Sequence, residues 1–441
     1  MADGILVAAP RSGSGKTLVT LGLLAALRAR GLAVAPAKAG PDYIDTAIHA
    51  RVAGRPAVNL DPWAMGRDRL RALAFAQAAD ADLLLVEGAM GLFDGAADGS
   101  GSSGDLAAAL GLPVVLVVDG EKQSHSIAPL VAGFARWRED VRVGGVVVNK
   151  VASTRHERML RTALVATGLP WLGALPRRAG LVLPERHLGL VLPAEVDGFD
   201  AVVAEAAAAV GEYLDLPALL GLAAPVAPAA GARALPPLGQ RIAVARDEAF
   251  AFLYPHWLAD WREAGAELTF FSPLADEAPD PRADAVFLPG GYPELHGARL
   301  AAAERFKQGL RLARDRGALV YGECGGFMVL GQALVDRAGA GHAMAGLLPV
   351  TTRIDRPKRV LGYRRLAQAG HLPWPERLSG HEFHYSAARP TRLAPLFAAT
   401  DALGEPQPPM GAVDGRVMGS YAHVIDAGAA RKAGEGAWPR P

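Results

Sequence analysis

The chain has 441 residues, 51% of them hydrophobic and 21% charged, and its 46 basic residues nearly balance its 45 acidic ones. This length exceeds what one hydrophobic core usually organises, so two domains are expected, and the charge balance argues against nucleic acid or a membrane surface as a partner. A lone cysteine, Cys324, excludes an intrachain disulfide and a thiolate metal cage. We expect a cytoplasmic protein, because no apolar run of membrane-spanning length and no leader-like pattern occurs.

The first half of the chain alternates apolar runs with helical patterns. The runs begin at Ile5 and continue with LAVAPAKAG, LLLVEGA, PVVLVVDG and GGVVVNKV. Aliphatic runs without polar alternation are typical of strands covered on both faces, which predicts a parallel sheet with crossover helices. Segment 221–239 is rich in Pro, Ala and Gly and lacks periodicity. We therefore predict a linker there, between domains at 1–220 and 240–441.

A loop rich in Gly and Ser, APRSGSGKT, follows the first strand and precedes a helix predicted to begin at Lys16. This order is the context of a phosphate-binding loop, although Pro10 stands where the G-x-x-x-x-G-K-[ST] pattern has its first glycine. Gly13 and Gly15 permit the backbone to surround a phosphate, Lys16 would reach the phosphates, and Thr17 would hold Mg²⁺. The candidate ATP-binding residues are Ser12, Gly13, Ser14, Gly15, Lys16 and Thr17. An ordinary glycine-rich turn is the alternative.

Acidic residues follow the next predicted strands. Asp42 and Asp45 lie in AGPDYIDTAIH after the second predicted strand, and Glu87 and Asp94 lie in VEGAMGLFDG after the third. Open α/β sheets bind ligands at the carboxyl ends of their strands. Thr17, Asp45 and Glu87 are therefore the candidate metal ligands. A helix N-cap is the alternative for Asp42 or Asp45.

After residue 239 the strand pattern restarts with RIAVARD, AELTFFSP, DAVFLPGG and ALVYGECGG, which predicts a second α/β domain. Cys324 follows the last of these runs in a glycine-flanked turn, and a helix is predicted beyond it through Leu334. The arrangement resembles a nucleophile elbow, which exposes a side chain near a helix N-terminus that favours the thiolate. A buried structural cysteine is the alternative.

A nucleophilic thiol needs a base, and three histidines are candidates. His381 and His384 lie in GHEFHYS, and His423 lies in GSYAHVI after a strand-like segment. We expect His423 to be the partner of the cysteine. Backbone N–H groups of Gly290 and Gly291, in FLPGGYPE, are candidates for an oxyanion site.

These motifs carry a family resemblance over nearly the whole chain. FLPGGYPE, GECGGFMVLG and GSYAHV resemble a class I glutamine amidotransferase of the cobyric-acid-synthase type, and APRSGSGKT, KAGPDYID and VEGAMGLFDG resemble a dethiobiotin-synthetase-like P-loop domain. Together with IAVARDEAFAFLY, LPERHLGL and GHEFHYS, they resemble the cobyrinate or hydrogenobyrinate a,c-diamide synthase family. The resemblance implies an α/β fold with two tandem α/β domains, the P-loop domain first.

The resemblance also implies an activity, the ATP-dependent amidation of the a- and c-acetate carboxylates of a corrinoid acid, with Mg²⁺ and glutamine, in a homodimer. Cys324 would attack the glutamine amide while His423 relays protons, and the released ammonia would displace phosphate from an acyl phosphate. The implied substrate residues are Asp42, Tyr43, Asp45, Asp94, Arg186 and His187. A solvated turn is the alternative for the last two.

One departure from the class I pattern concerns the histidine. Ile425 stands where typical members carry a glutamate two positions after the histidine, so the resemblance implies a Cys–His dyad with an unidentified orienting group. The competing functions are a P-loop switch ATPase, which would not need Cys324, a cobyric acid synthase and a nickel-sirohydrochlorin a,c-diamide synthase. The GC-rich composition favours metal-free hydrogenobyrinate over cobyrinate.

Overall fold

The computed structural model describes residues 2–178, 185–186, 189–190, 198–229, 231–232, 234–355, 359–388 and 392–428. The chain forms two compact units. The first unit includes Met1–Ala232 and the second spans Arg233–Ala430. Among the described residues, no helix has both the length and the apolar character that crossing a bilayer requires.

The first unit contains one large sheet and a separate two-stranded ribbon. Its strands are β1 (Asp3–Ala8), β2 (Val34–Ala39), β3 (Val58–Leu60), β4 (Leu83–Glu87), β5 (Val114–Asp119), β6 (Val143–Val151), β7 (Trp171–Pro176), β8 (Glu185–Arg186), β9 (Gly189–Leu190) and β10 (Ala224–Pro225). Its helices are α1 (Lys16–Ala29), α2 (Tyr43–Ala53), α3 (Arg67–Ala78), α4 (Ser103–Leu110), α5 (Ile127–Arg136), α6 (Thr154–Val165), α7 (Phe199–Tyr213) and α8 (Leu216–Leu220).

Seven strands of this sheet lie in the order β3-β2-β4-β1-β5-β6-β7 and are parallel to one another, which confirms the parallel sheet predicted from the apolar runs. Strand β3 was not predicted, because three residues are too few to show a period, so Glu87 ends the fourth strand rather than the third. Within the segment expected to be a linker, β10 pairs antiparallel with β1. The two-stranded ribbon β8-β9 is separate from the sheet.

The second unit combines a central sheet with two smaller ones. Its strands are β11 (Arg241–Ala245), β12 (Glu267–Phe271), β13 (Ala285–Leu288), β14 (Leu319–Glu323), β15 (Ala333–Val335), β16 (Gly341–Ala343), β17 (Thr351–Arg353), β18 (Val360–Ala367), β19 (Arg377–His384), β20 (Ala387–Ala388), β21 (Phe397–Thr400), β22 (Pro406–Met410), β23 (Ala412–Asp414), β24 (Val417–Ser420) and β25 (His423–Ala427). Its α-helices are α9 (Pro255–Glu263), α10 (Gly297–Ala302), α11 (Glu304–Asp315) and α12 (Gly325–Leu330), and 3₁₀ turns span Pro273–Ala275 and Pro293–Leu295.

The central sheet has the order β12-β11-β13-β14-β24-β23, in which only the edge strand β23 is antiparallel. A second sheet, β22-β21-β18-β19-β25, pairs β25 with β19 so that His423 lies opposite His381. The helix after the cysteine ends earlier than predicted, at Leu330, because Gly331 has an extended backbone, and Ala333–Val335 forms β15 instead. The prediction of a helix through Leu334 is therefore wrong in its second half.

Candidate functional sites

The glycine-rich loop of the first unit lies between β1 and α1, and α1 begins at Lys16 as predicted. Gly15 has a φ of 94°, and a Cβ built on it would lie 2.0 Å from Nδ2 of Asn149. Asn149 donates from Nδ2 to the carbonyl of Ser14 at 3.0 Å, and Nζ of Lys150 donates to the carbonyl of Gly13 at 2.9 Å. Two residues of β6 therefore fix the backbone of the loop by hydrogen bonds.

Neither Asn149 nor Lys150 was singled out in the sequence. The available signal was their position near the carboxyl end of a parallel strand, where ligands gather. Lys150 also pairs through Nζ with Oδ2 of Asp119 at 2.9 Å, at the end of the neighbouring strand β5. The remaining loop residues differ in exposure, since Ser12 is exposed while Ser14 is buried and donates to the carbonyl of Arg11 at 3.0 Å.

Thr17 reaches the last residue of β4, and Lys16 reaches the segment that follows this strand. Nζ of Lys16 donates to the carbonyl of Met90, and burial lowers the pKa of this lysine. The Thr17 hydroxyl donates to Oε1 of Glu87 at 2.8 Å. The structure thus brings the predicted metal ligands Thr17 and Glu87 into contact.

A buried polar cluster surrounds Glu87, and two of its members, Lys38 and His49, were not predicted. Nζ of Lys38 lies 2.9 Å from Oε1 of Glu87 and 2.6 Å from Oδ2 of Asp45. Nε2 of His49 lies 2.7 Å from Oε2 of Glu87. We call Lys38, Asp45, His49 and Glu87 the Lys38 cluster.

The charged groups of this cluster shift one another's pKa values. Burial opposes the positive charge of Lys38, but Asp45 and Glu87 outweigh it and raise the lysine pKa. Burial likewise opposes ionisation of Glu87, yet Lys38 and His49 hold its pKa well below the usual range. For Asp45, burial and the nearby Asp42 dominate and raise its pKa to about 6.

The other acidic candidates differ in their surroundings. Asp42 is the N-cap of α2 and accepts from the N–H groups of Ile44 and Asp45, each at 2.9 Å. Tyr43 is half-buried in the first turn of the same helix. Asp94 is exposed and accepts from the N–H of Gly91 at 2.8 Å.

The remaining two substrate candidates fall on a segment that is mostly not described. Of Arg186, only its place in strand β8 is described. His187 lies outside the described residues.

The oxygen atoms near the loop determine whether it suits Mg²⁺. Thr17 and Glu87 present adjacent oxygens, which are the ligand type that Mg²⁺ prefers, and Oδ1 of Asp45 is buried without a hydrogen-bond partner among the described residues. The Lys38 ammonium lies between the two carboxylates. Across the described ranges, no group of three or more His, Cys, Asp or Glu side chains is arranged to hold a metal alone. The residues therefore fit an ion that shares its shell with phosphate oxygens and water.

In the second unit, Cys324 occupies a strained turn between β14 and α12. Its φ is 47° and its ψ is −106°, a conformation that non-glycine residues rarely adopt. Neighbouring glycines make the turn possible: a Cβ on Gly326 would lie 2.0 Å from the carbonyl oxygen of Leu288, and one on Gly322 would lie 2.8 Å from the backbone of Gly326. The geometry is that of the predicted strand–turn–helix elbow. The prediction that the elbow exposes the Cys324 side chain is wrong, because this side chain packs within the hydrophobic core of the unit.

The structure brings His423 to the cysteine. A Cβ built on Gly290 would lie 2.3 Å from Cε1 of His423 and 3.3 Å from Cβ of Cys324, so both side chains converge over this glycine. His381 stacks on His423 with ring centroids 4.9 Å apart, and its Nε2 lies 3.1 Å from the Tyr254 hydroxyl.

The third candidate base, His384, is engaged elsewhere. It stacks on Tyr421 at 4.5 Å and lies 3.2 Å through Nε2 from Oε1 of Glu382. Glu382 in turn accepts from Nε of Arg364 at 2.6 Å.

The two catalytic candidates are both uncharged in this environment. Burial, followed by the nearby Glu294, raises the pKa of the Cys324 thiol, although the N–H of Gly325 acts in the opposite direction. Burial, together with His381 and His384, lowers the pKa of His423 well below its usual value. The expectation that the helix N-terminus would favour the thiolate is therefore wrong, because desolvation outweighs the backbone N–H.

The predicted oxyanion glycines lie beside this pair. Gly290 accepts from the N–H of Phe252 at 2.9 Å, which fixes the loop after β13. The backbone nitrogen of Gly291 would lie 3.1 Å from a Cβ on Gly325, the residue after the cysteine. A Cβ on Gly291 itself would lie 2.1 Å from the carbonyl oxygen of Ala249, so only glycine fits at this point of the loop.

Comparison with known proteins gives relatives of nearly the same length. Hydrogenobyrinate a,c-diamide synthase of Rhizobium meliloti is 53% identical over 96% of this chain and 99% of its own. The proteins of the same name from Brucella abortus and Rhodobacter capsulatus are each 54% identical over 96% of this chain and 98% of their own. The chain belongs to the hydrogenobyrinate a,c-diamide synthase family.

Family models place this membership in each half of the chain. Residues 5–191 match a CobQ/CobB/MinD/ParA nucleotide binding domain, and residues 241–430 match a CobB/CobQ-like glutamine amidotransferase domain. The family resemblance and the tandem α/β architecture expected from the sequence are thus confirmed. The enzyme is an amidating ligase of the glutamine-dependent class, as members of this family are.

Proposed function

We propose that this chain is an ATP-dependent ligase that uses glutamine to amidate the a- and c-acetate carboxylates of hydrogenobyrinic acid in cobalamin biosynthesis. The names of its relatives support this substrate. The observation that carries the proposal is the convergence of Cys324 and His423 over Gly290, in a chain whose other unit presents a phosphate-binding loop. A switch ATPase would have no use for the first arrangement.

In the proposed glutaminase step, the thiol of Cys324 attacks the carboxamide carbon of glutamine. The S–C bond forms as the thiol proton passes to His423, and the carbonyl electrons move to an oxyanion that the N–H groups of Gly290 and Gly291 stabilise. The C–N bond then breaks, His423 returns the proton to the leaving nitrogen, and ammonia departs. Water hydrolyses the glutamyl thioester and restores the thiol.

In the proposed synthetase step, a carboxylate oxygen of the corrinoid attacks the γ-phosphorus of ATP, and ADP leaves. Ammonia then attacks the acyl carbon of the mixed anhydride, and phosphate leaves. The backbone of residues 12–16 cradles the phosphates, Lys16 stabilises the transferred group, and Thr17, Glu87 and Asp45 hold Mg²⁺. When bound, Mg²⁺ neutralises charge on the phosphate oxygens.

The proposal extends to the remaining candidates. Substrate contacts come from Asp42, Tyr43, Asp45, Asp94, Arg186 and His187. Synthesis belongs to residues 1–220, glutamine hydrolysis to residues 240–441, and the protein acts as a homodimer on small-molecule substrates.

The test uses the purified protein with ATP, Mg²⁺, glutamine and hydrogenobyrinic acid, with cobyrinic acid as the comparator. Mass spectrometry should show a product carrying two new amides from hydrogenobyrinic acid. A product from cobyrinic acid alone would transfer the proposal to the cobalt-containing substrate. No amide on either acid would refute the proposed function.

Cys324→Ala separates the two half-reactions. We expect glutamine-dependent synthesis to fall by at least about 10³-fold, because the nucleophile is lost. Synthesis from added ammonium salt should persist, because free ammonia bypasses the thioester. Equal loss with both nitrogen sources, in a variant with unchanged thermal unfolding, would contradict the assignment.

A further inference from the structure

A buried carboxyl group lies beside the histidine whose usual acidic partner is replaced by Ile425. Glu323 is the last residue of β14, directly before Cys324, and is 1% exposed. Its Oε2 lies 3.9 Å from Nδ1 of His423. Burial of a carboxyl group costs free energy, so we expect it to interact favourably with a neighbouring polar group.

Two hydrogen bonds fix the orientation of this carboxyl group. Oε1 of Glu323 accepts from the Tyr321 hydroxyl at 2.8 Å and from the N–H of Val424 at 3.1 Å. Val424 directly follows His423 in β25. With Oε1 held in this way, Oε2 is the oxygen that lies toward the imidazole.

We propose that Glu323 is the positioning residue of His423 and takes the place of the glutamate absent at position 425, an inference that rests on the proposed glutaminase function. As a carboxylate, Glu323 lies 3.9 Å from Nδ1 of His423, and its negative charge favours the tautomer that carries the proton on this nitrogen. The tautomer fixed in this way presents the lone pair of Nε2, which exchanges the proton with Cys324. Glu323 itself neither gains nor loses a proton in the cycle.

The neighbouring histidine performs a different task. His381 packs against the face of the His423 ring, and its own Nε2 lies 3.1 Å from the Tyr254 hydroxyl. A stacked ring restricts the plane of the imidazole but does not choose which nitrogen carries the proton. The carboxyl group of Glu323 lies 3.9 Å from Nδ1, so its charge can determine which nitrogen of His423 carries the proton.

The protonation of Glu323 predicts a pH dependence of activity that a purely structural role of this residue would not produce. Burial raises its pKa to about 8, against the opposing hydrogen bonds from Tyr321 and Val424. The titratable groups facing it are Tyr321, Cys324 and His423, and Glu294 and Glu382 act on the same thiol. Below this pKa the neutral carboxyl group no longer favours a proton on Nδ1, so the tautomer with the proton on Nε2, which cannot accept the thiol proton, becomes populated.

Glutamine-dependent turnover should therefore rise as the pH passes through about 8, where Glu323 ionises. We call this rise in turnover the pH limb. Synthesis from ammonia, measured at a constant concentration of free ammonia, should lack this limb. Tyr321→Phe removes a hydrogen bond that favours the ionised carboxylate, so the limb should move to higher pH.

Glu323→Gln keeps the shape of the side chain and removes its charge. We expect kcat with glutamine to fall by about 10²-fold with little change in KM, and the limb to vanish, because proton transfer is impaired while glutamine binding is not. Ammonia-dependent synthesis should be unchanged. Glu267→Gln, at a surface ion pair with Arg241, serves as the matched control and should retain both activities.

A Glu323→Gln enzyme with the parental kcat and pH limb would overturn the positioning role, even if Cys324→Ala behaves as proposed. If Glu323→Gln unfolds, Tyr321→Phe decides, and an unshifted limb in that variant would also overturn the role. Failure of the proposed function is distinguishable, because glutamine-dependent synthesis would then survive Cys324→Ala.

Discussion

Lys38 shows how one side chain can set the charges of a whole site. It lies between Asp45 and Glu87 at 2.6 and 2.9 Å, and all three side chains are buried. Removing one partner of such a group leaves the others as uncompensated charges in a medium of low dielectric. The Lys38 cluster is therefore sensitive to substitution of its cation.

Lys38→Met should lower the free energy of unfolding by about 3–5 kcal/mol, the usual cost of breaking a buried ion pair. The loss should be larger at pH 8 than at pH 5. Both pH values lie above the unfolded-state pKa of Glu87, so the stabilisation from its depressed pKa is present at both. The difference between them comes from Asp45, which is largely protonated at pH 5 but which Lys38 helps to keep ionised at pH 8. Without Lys38 this contribution shrinks, and Asp45, whose pKa is already raised to about 6, becomes harder to ionise.

Urea unfolding of Lys38→Met at both pH values checks this expectation. Lys122→Met, at an exposed position, provides the control and should leave the unfolding curves unchanged. A loss that is equal at pH 5 and pH 8 would argue against the ionised cluster.

Contacts of this kind, between residues far apart in the chain, could not be predicted from the sequence. Local patterns of glycines and predicted strands identify Cys324, His423 and the residues of the phosphate loop. Lys38 and His49 meet Glu87 only after separate strands and helices have packed, and no local period encodes that meeting. The same holds for Glu323, whose partner lies in another sheet.

Among the elements, the turn between β14 and α12 depends closely on its glycines. Gly326 packs so closely that a Cβ would overlap the carbonyl oxygen of Leu288, in the neighbouring strand β13, at 2.0 Å. Because the obstacle is backbone rather than a flexible side chain, relief requires that a strand or the turn moves. The strained backbone of Cys324 depends on this close packing.

Gly326→Ala should therefore destabilise the second unit by roughly 1–3 kcal/mol or more and strongly reduce glutamine-dependent synthesis. Gly341→Ala is the matched control, because a Cβ there meets no atom within 4 Å. Chemical denaturation and the glutamine assay should separate the two variants. Similar behaviour of both would show that the turn tolerates more movement than its contacts indicate.

At this level the sequence predicted most strands of the two large sheets, but it missed β7, the strands of the smaller sheets and several element ends. Aliphatic runs sufficed for β1, β2, β4, β5 and β6 of the parallel sheet. They failed for β3, which is too short to show a period, and for α12, where an apolar pattern continues past the last helical residue, Leu330, into strand β15. Tertiary packing, rather than propensity, decides such ends.

For the molecule as a whole, the two nitrogen sources report on different units. Lys16→Ala should abolish synthesis from glutamine and from ammonia alike, since both routes require the activated carboxylate, with a loss of at least about 10²-fold expected from a missing phosphate clamp. Cys324→Ala should affect only the glutamine route. Product formation with each nitrogen source, measured for both variants, tests this division. Substantial ammonia-dependent turnover by Lys16→Ala would mean that the loop is not the ATP site.

The bond between Lys16 and the carbonyl of Met90 has a consequence for nucleotide selection. An anion that approaches Lys16 finds its ammonium group already hydrogen-bonded. It competes with an acceptor that the protein itself supplies, so a ligand gains from Lys16 only the difference between its own oxygen and that carbonyl. If the loop binds ATP as proposed, a polyphosphate with its concentrated negative charge would displace this carbonyl from Lys16, whereas a weakly charged molecule would not.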